Sequence, residues 1–443
     1  MARLLTQKDI YSIINAMVED ITGQTSEIRA VDTSTFISAG ELILSYGTEN
    51  VLNSLGLLVG RILVASREYR GGFDLINAID TGVFTHRLEK ISFYAKKATA
   101  SGAWNTDLYT NLYPGYTNGV NNNGVSDQST KSMWEQFPGI PLVMNFAGSS
   151  VWDECITIYE VQLQQAFRGE NEFNEFVSGM LVEHENDIES EKEAFRRAVV
   201  LNHIAGVYDL SSIMPGSVIN LTEEFNKTYY GSDTSAYKTS AELRSTYLKE
   251  FLEFMVSEIK IVSMRLKNRS ANYHWTPAKT IGGVSYPLLR HTPANRQKLF
   301  LYEPLFIKSE AMVYPEIFQP RYLDMDTQYE GIEFWQNEND PSAIQVEPAI
   351  PETDSTSANY GTQKKGSKVS LDYVVGCLFD EDAMMVDFQL DRTDSTPLEA
   401  RKLYRNLWLH ISKNGINDFT EKAVIFTMED PSNSNGTKKT TKK

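Results

Sequence analysis

Three stretches follow one another over residues 374–428: VVGCLFDEDAMMV (Val374–Val386), STPLEARKLYRNLWLHI (Ser395–Ile411) and NDFTEKAVIFTM (Asn417–Met428). Each sets an apolar, β-branched or aromatic run beside polar residues. Short apolar runs bounded by turn signals read as buried strands. Strands are therefore expected at Leu371–Phe379, Val386–Leu390, Leu403–Ser412 and Lys422–Met428, closing the fold. Asp380-Glu381-Asp382 falls where the first of them ends. Carboxylates at a strand end can do acid–base work or bind a metal, but a turn between strands explains them without chemistry.

Working outward, Lys298–Leu301 and Leu305–Lys308 read as further short strands. Pro341–Pro351 and Glu352–Ser367 read as Pro/Ser/Thr/Gly-rich loops. Thr239-Ser-Ala-Glu242 has the form of a capping box. It opens a predicted helix over Ser240–Lys267, with Leu243, Tyr247, Phe251, Met255, Ile259, Val262 and Leu266 as its apolar stripe.

The longest helical signal runs from Glu172 to about His203. Phe173, Phe176, Val177, Met180, Leu181, Ile188, Phe195 and Val199 recur at helical spacing, and such a helix would extend about 45–50 Å. Its middle is acidic: Glu183, Glu185, Asp187, Glu189, Glu191 and Glu193. Like charges so close call for compensation. Arg87, Lys90, Lys96 and Lys97 are the candidate basic partners.

Upstream, Leu88–Ala98 and Ile156–Gln164 read as paired strands flanking YPGYTNGVNNNGVSDQST (Tyr113–Thr130), a polar stretch with little to build a core. That describes a long excursion with a mobile tip. Before it come a helix over Ile10–Ile21 capped by Thr6 with Asp9, a helical stretch Glu41–Leu58, a strand Arg61–Arg67 and a connection Arg70–Asp80. At the other end PSNSNGTKKTTKK (431–443) reads as a disordered basic tail.

Composition narrows the function classes. The chain has 443 residues, 42 Lys+Arg against 58 Asp+Glu, and a net charge of −16. Such a balance disfavours a general nucleic-acid binder and an anionic membrane surface. Aromatic residues at 11% rule out disorder of the whole chain. Cys155 and Cys377 cannot make a disulfide framework or a four-thiolate site; both sit in apolar runs and are expected to be buried. No secretory leader and no membrane-length apolar run is present.

The motif search is negative for GxxxxGKS/T, GxGxxG after a strand, GxSxG and HExxH. His86, His184, His203, His274, His291 and His410 are scattered and read as ordinary surface or core histidines. His184-Glu185 with Asp187 reads as a solvated helical face, and Glu183–Glu193 lacks calcium-loop spacing. No catalytic, cofactor-binding or metal-ligating residue is assigned.

The order of parts resembles the major capsid proteins of tailed bacteriophages, the Hong Kong 97 fold. The three quoted stretches resemble the closing segment of one group of them, whose pattern is lFDxDAm, TPxNAxxxYxNxWxH and ND-T-E-AVVF. Here Glu399 replaces the usual Asn. LFLYEPLFIKSEAMVYPEIF (Leu299–Phe318) resembles the same group.

The resemblance implies an α+β fold divided into an N-terminal arm and entry region (1–80), an extended β-hairpin loop (81–168), a peripheral domain with a long spine helix (169–210), an axial domain (211–370), closing strands (371–430) and the basic tail (431–443). It implies a structural, non-enzymatic protein of the virion, assembled in the host cytoplasm. Hexamers and pentamers would form an icosahedral head around double-stranded DNA, which is contacted without sequence preference. A separate scaffolding protein, a portal and auxiliary head proteins are implied partners, with no cofactor and no membrane. Two other readings stay open: an encapsulin-like cellular shell, and a carbohydrate-active enzyme that would use the many aromatic and acidic residues.

Overall fold

Strand β14 (Val374–Asp380) is buried along its whole length. In the computed structural model it lies at the centre of a five-stranded sheet. The structure describes residues 14–16, 18–19, 30–31, 33–45, 72–79, 87–95, 139–148, 150–167, 170–277, 279–281, 284–310 and 328–430.

The sheet runs β5 (Val218–Asn220), β17 (Ala423–Thr427), β14, β8 (Gln297–Tyr302), β9 (Gln328–Ile332). β14 is antiparallel to β17 and β8, while β5 and β9 join parallel at the edges. Continuous apolar runs are what a strand covered on both faces requires. Gly376 is a glycine for want of space: a Cβ there would lie 2.5 Å from the carbonyl oxygen of Phe300.

A second sheet has the order β1 (Asn77–Ala78), β15 (Met384–Ser395), β16 (Tyr404–Asn417), β4 (Ser150–Tyr159). Along β16, Arg405, Leu407, Leu409 and Ile411 are buried and alternate with half-buried Tyr404, Asn406, Trp408 and His410. That is the two-residue period of a sheet with one covered face.

Helix α3 (Glu170–Asp209) is 40 residues long, about 60 Å at 1.5 Å per residue. Val199, Val200, Ile204, Ala205 and Val207 bury its last third, against β15, β16, β17 and two small ribbons. The ribbons are β10 (Ile344–Val346) with β13 (Val369–Leu371), and β11 (Ala349–Pro351) with β12 (Gln363–Lys365). Among the described residues the other named helices are α1 (Thr33–Ser45), α2 (Glu160–Ala166), α4 (Leu221–Tyr230), α5 (Ser240–Leu243), α6 (Leu248–Leu266) and α7 (Glu303–Glu310). Two further ribbons are β2 (Arg87–Phe93) with β3 (Pro141–Ala147), and β6 (Thr280–Ile281) with β7 (Val284–Ser285).

The α+β class and the closing strands agree with the sequence reading, but several details differ. The strand expected at Leu305–Lys308 is helix α7. Glu303 and Pro304 open it, an acid and a proline in the first turn where both are tolerated. The helix expected over Ser240–Lys267 keeps its capping box at Thr239 and Glu242 but breaks after Leu243. There the amides of Ser245, Thr246 and Tyr247 all turn onto the Glu242 carbonyl, and the Ser245 hydroxyl bonds to the Ala241 carbonyl at 2.8 Å. The loops predicted over 341–367 contain β10, β11 and β12.

The pairing of the excursion also differs. Leu88–Ala98 corresponds to β2, whose partner is β3, a strand the sequence reading missed. Ile156–Gln164 is the end of β4 followed by α2, and β4 pairs with β16 from Ser150↔Lys413 to Tyr159↔Tyr404. Cys155 is exposed rather than buried, because alternation along β4 puts it in phase with Asp153 and Thr157. Cys377 is buried as expected.

In the first 80 residues, 14–16 and 18–19 are helical, with Ile14 and Val18 buried. The second helix begins at Thr33 rather than Glu41. The Thr6 cap, Arg61–Arg67, Tyr113–Thr130 and 431–443 lie outside the described residues.

Candidate assembly interface

The segment Asn417–Lys422 joins β16 to β17, and its side chains reach four separate elements. The Asp418 carboxylate lies 2.5 Å from the Lys90 ammonium of β2 and accepts from the Thr420 amide and hydroxyl at 2.8 and 2.7 Å. Glu421 also lies 2.5 Å from Lys90 and 3.3 Å from Arg290. Arg290 donates to the Ser92 hydroxyl at 2.7 Å and to the Thr420 carbonyl at 3.2 Å. Phe419 stacks on His203 of α3. The Lys422 ammonium, wholly buried, donates to the carbonyls of Leu266 and Asn268 and to the Ser270 hydroxyl.

Burial and charge set the protonation of these groups. Burial would raise the Asp418 carboxyl, but the adjacent Lys90 and the Thr420 bonds hold it below its ordinary range. Burial pushes Glu421 up, and Lys90 and Arg290 offset this only in part. Lys90 is raised: burial opposes its charge, and the two carboxylates outweigh it. Lys422 is lowered to about 8, chiefly by burial.

This clamp fixes the base of the β2–β3 ribbon. Lys90 and Ser92 on one face, with Leu142, Met144 and Phe146 beside them, turn towards the body. The other face carries Ile91, Phe93 and Val143, exposed at 58%, 62% and 48%. Ile91 sits directly opposite Val143, and Phe93 opposite Pro141. An exposed apolar stripe held on a rigid, ion-paired base is the form of a surface that another chain covers.

The sequence had offered Lys90 as a partner for the acidic middle of a neighbour's long helix. It is instead engaged within its own chain. Glu189 pairs with Lys192 at 2.9 Å and Glu193 with Arg197 at 2.6 Å, so α3 supplies part of its own compensation. The side chains of Arg87, Lys96, Lys97, Glu183, His184 and Glu185 lie outside the described residues.

The other sequence candidates are dispersed. Asp380, Glu381 and Asp382 form the turn between β14 and β15, and all three pair with Arg296. His203 and His274 are buried and lowered to about 4, chiefly by burial. His410 meets Asp153 at 2.5 Å across β16 and β4. Among the described residues no group of three or more His, Cys, Asp or Glu could hold a metal ion. No helix among them is long and apolar enough to cross a membrane. What the sequence reading missed is the role of NDFTEK as a hub. The signal lay in six polar or aromatic residues placed just before a strand buried along its length.

Comparison with solved structures returns phage particles. The chain aligns with the capsid structure of Staphylococcus phage Andhra at 9% identity and a TM-score of 0.46, covering 82% of this chain and 85% of that one. With the structure of head fiber and inner core protein gp22 of native bacteriophage P68 the identity is 9% and the TM-score 0.43, covering 82% and 86%. With the capsid of cyanophage P-SCSP1u the values are 9% and 0.38, covering 83% and 91%. No curated protein matches. The family described as Phi29-like phage major capsid protein matches residues 154–427, which span the end of β4, the long helix, the five-stranded sheet, β15 and β16, and the Asn417–Lys422 segment. This chain therefore belongs to the Phi29-like phage major capsid proteins, and its role is structural, in the capsid of the virion.

Proposed function

We propose that copies of this chain assemble as hexamers and pentamers into an icosahedral head that encloses double-stranded DNA. The observation that carries this reading is the β2–β3 ribbon: ion-paired to its own body on one face and apolar on the other. In the assembled shell a neighbouring copy covers Ile91, Phe93 and Val143. The regions 1–80, 81–168, 169–210, 211–370 and 371–430 then serve as arm, extended loop, spine helix, axial domain and closing strands of a Hong Kong 97-type subunit.

A scaffolding protein, a portal and auxiliary head proteins complete the assembly, which takes place in the host cytoplasm. The DNA is held without sequence preference and the protein catalyses no reaction. The acidic net charge suits a lumen that leaves its genome free to move.

The test is negative-stain microscopy of purified wild type and of the triple variant Ile91→Thr, Phe93→Ser, Val143→Thr. Wild type should form closed shells or capsomer rings, and the variant should stay folded by circular dichroism but unassembled. Shells of normal yield from the variant would refute the assignment of this face. DNA inside native particles separates a phage head from an encapsulin-like shell.

A further inference from the structure

The sheet β1–β15–β16–β4 ends differently on its two sides. β1 is two residues long, whereas β4 runs ten residues and pairs with β16 without a register shift. Natural sheets blunt a long edge with lysine, proline, a bulge or an early stop. The β4 sequence, SVWDECITIY, has no lysine, proline or glycine.

The ladder fixes which backbone groups face outward. One step beyond the Tyr159↔Tyr404 pair, the Glu160 amide donates to the Leu403 carbonyl at 2.9 Å. Bonded and non-bonded pairs alternate in an antiparallel ladder, so the even-numbered residues of β4 bond to β16. The Thr396 amide donates to the Asn406 carbonyl at 2.9 Å, which turns the even-numbered residues of β16 towards β15, in agreement. Val151, Asp153, Cys155, Thr157 and Tyr159 therefore aim their amides and carbonyls out from the sheet edge. Among the described residues no strand pairs with them there. The same five side chains are exposed, Val151 at 56% and Tyr159 at 45%.

We propose that this edge pairs with the same edge of a second copy, antiparallel, about a two-fold axis beside Cys155. An isologous contact must be self-complementary, and one register of β4 is. Only with Cys155 opposite Cys155 does every outward residue meet an outward residue. Val151 then faces Tyr159 and Asp153 faces Thr157, each pair exchanging two backbone bonds. The two exposed apolar side chains cover each other, and Glu154 lies opposite Ile156. No carboxylate opposes another. Sliding the second copy until Glu154 opposes itself sets like charges face to face, which is destabilising, and leaves Tyr159 unpaired. The contact uses one surface twice, so it is distinct from the β2–β3 ribbon and does not depend on it.

Disulfide trapping with diamide in concentrated full-length protein tests this. Two thiols lose two protons and two electrons, diamide is reduced to its hydrazine, and one S–S bond forms. Opposed Cα atoms in a bonded pair lie about 5.5 Å apart, within disulfide reach. Non-reducing gels and mass spectrometry should show a dimer joined Cys155 to Cys155, with the buried Cys377 still a thiol. The register is read in a Cys155→Ser background. There Val151→Cys alone, or Tyr159→Cys alone, should give no dimer, because the two equivalent positions lie about 27 Å apart along the strands. The two substitutions together should join position 151 of one copy to position 159 of the other. With Cys155 in place, Val151→Lys with Tyr159→Lys should suppress its coupling, and Val151→Lys with Tyr159→Glu should restore it, both variants keeping the wild-type circular dichroism. Wild type that yields no Cys155 dimer would overturn the proposal, as it would if a different strand occupied this edge. So would coupling of a single cysteine at 151 or 159 as fast as that of Cys155, or failure of the 151 and 159 pair to couple.

Discussion

Phe419 lies flat on His203, ring centroids 5.0 Å apart and planes 6° from parallel. The first ring belongs to the link between β16 and β17, the second to the core of the long helix. The pair keeps an imidazole dry, and burial lowers His203 to about 4, as it does His274.

Acid should therefore weaken the fold. Between pH 6.5 and 4 the unfolded chain binds protons that the folded chain refuses, so stability falls as pH falls through that window. Each histidine can account for up to about 3 kcal/mol. Denaturant midpoints measured from pH 7 to pH 4.5 should show the decline, and His203→Phe should flatten it.

Gly206 lies under the same contact. A Cβ there would sit 2.4 Å from the Phe419 ring. Gly206→Val should destabilise by about 1–3 kcal/mol, the usual range for overpacking, while Phe419→Ala should cost about 3–5 kcal/mol. If the clash is the cause, the double variant should be more stable than Phe419→Ala alone; thermal melts of all three decide it.

Lys90→Met should cost about 3–5 kcal/mol, because it leaves the buried Asp418 carboxylate without its cation. Adding Asp418→Asn and Glu421→Gln should recover part of the loss. Hydrogen exchange should rise across residues 87–95 in the single variant before it rises in β14.

Lys422 gives a pH signature of the same sign as the two histidines, in a higher window. Its folded value is about 8 against an ordinary 10.5, so between those values the unfolded chain holds more protons. Its contribution to stability then increases with pH across that window. Lys422→Met should lose about 1–3 kcal/mol at pH 7, through unpaired carbonyls, and the wild-type-minus-variant difference should widen between pH 8 and 10.

Cys155 is exposed and Cys377 buried. One equivalent of thiol reagent should label Cys155 alone in unassembled chains. Burial pushes Cys377 up to about 12, so it should react only on unfolding.

Much of the architecture was legible because it rests on local signals. The stripe from Leu243 to Leu266, the Thr239–Glu242 box and the apolar run at Val374 each announce themselves within a few residues. What failed was pairing and phase. Nothing near Leu88 indicates that its partner is Phe146 rather than a residue of β4, since register depends on long-range packing. Cys155 was misplaced because an apolar neighbour on each side says less than the alternation of the whole strand. Leu305–Lys308 was too short for periodicity to separate helix from strand. The candidate assembly surface was legible only as an unusually polar excursion, because the clamp joins residues 328 and 331 positions apart in the chain.

That separation has a consequence for synthesis. A ribosome delivers Lys90 long before Asp418 and Glu421, so a nascent or interrupted chain carries the ribbon with no anchor for its base. Non-local contacts of this kind form late in folding. The apolar stripe of Ile91, Phe93 and Val143 is thus fixed in its final orientation only on chains that have been translated past residue 421. A product truncated before residue 418 should therefore fail to enter assembled shells when co-expressed with the full chain, which particle purification followed by gel analysis would read.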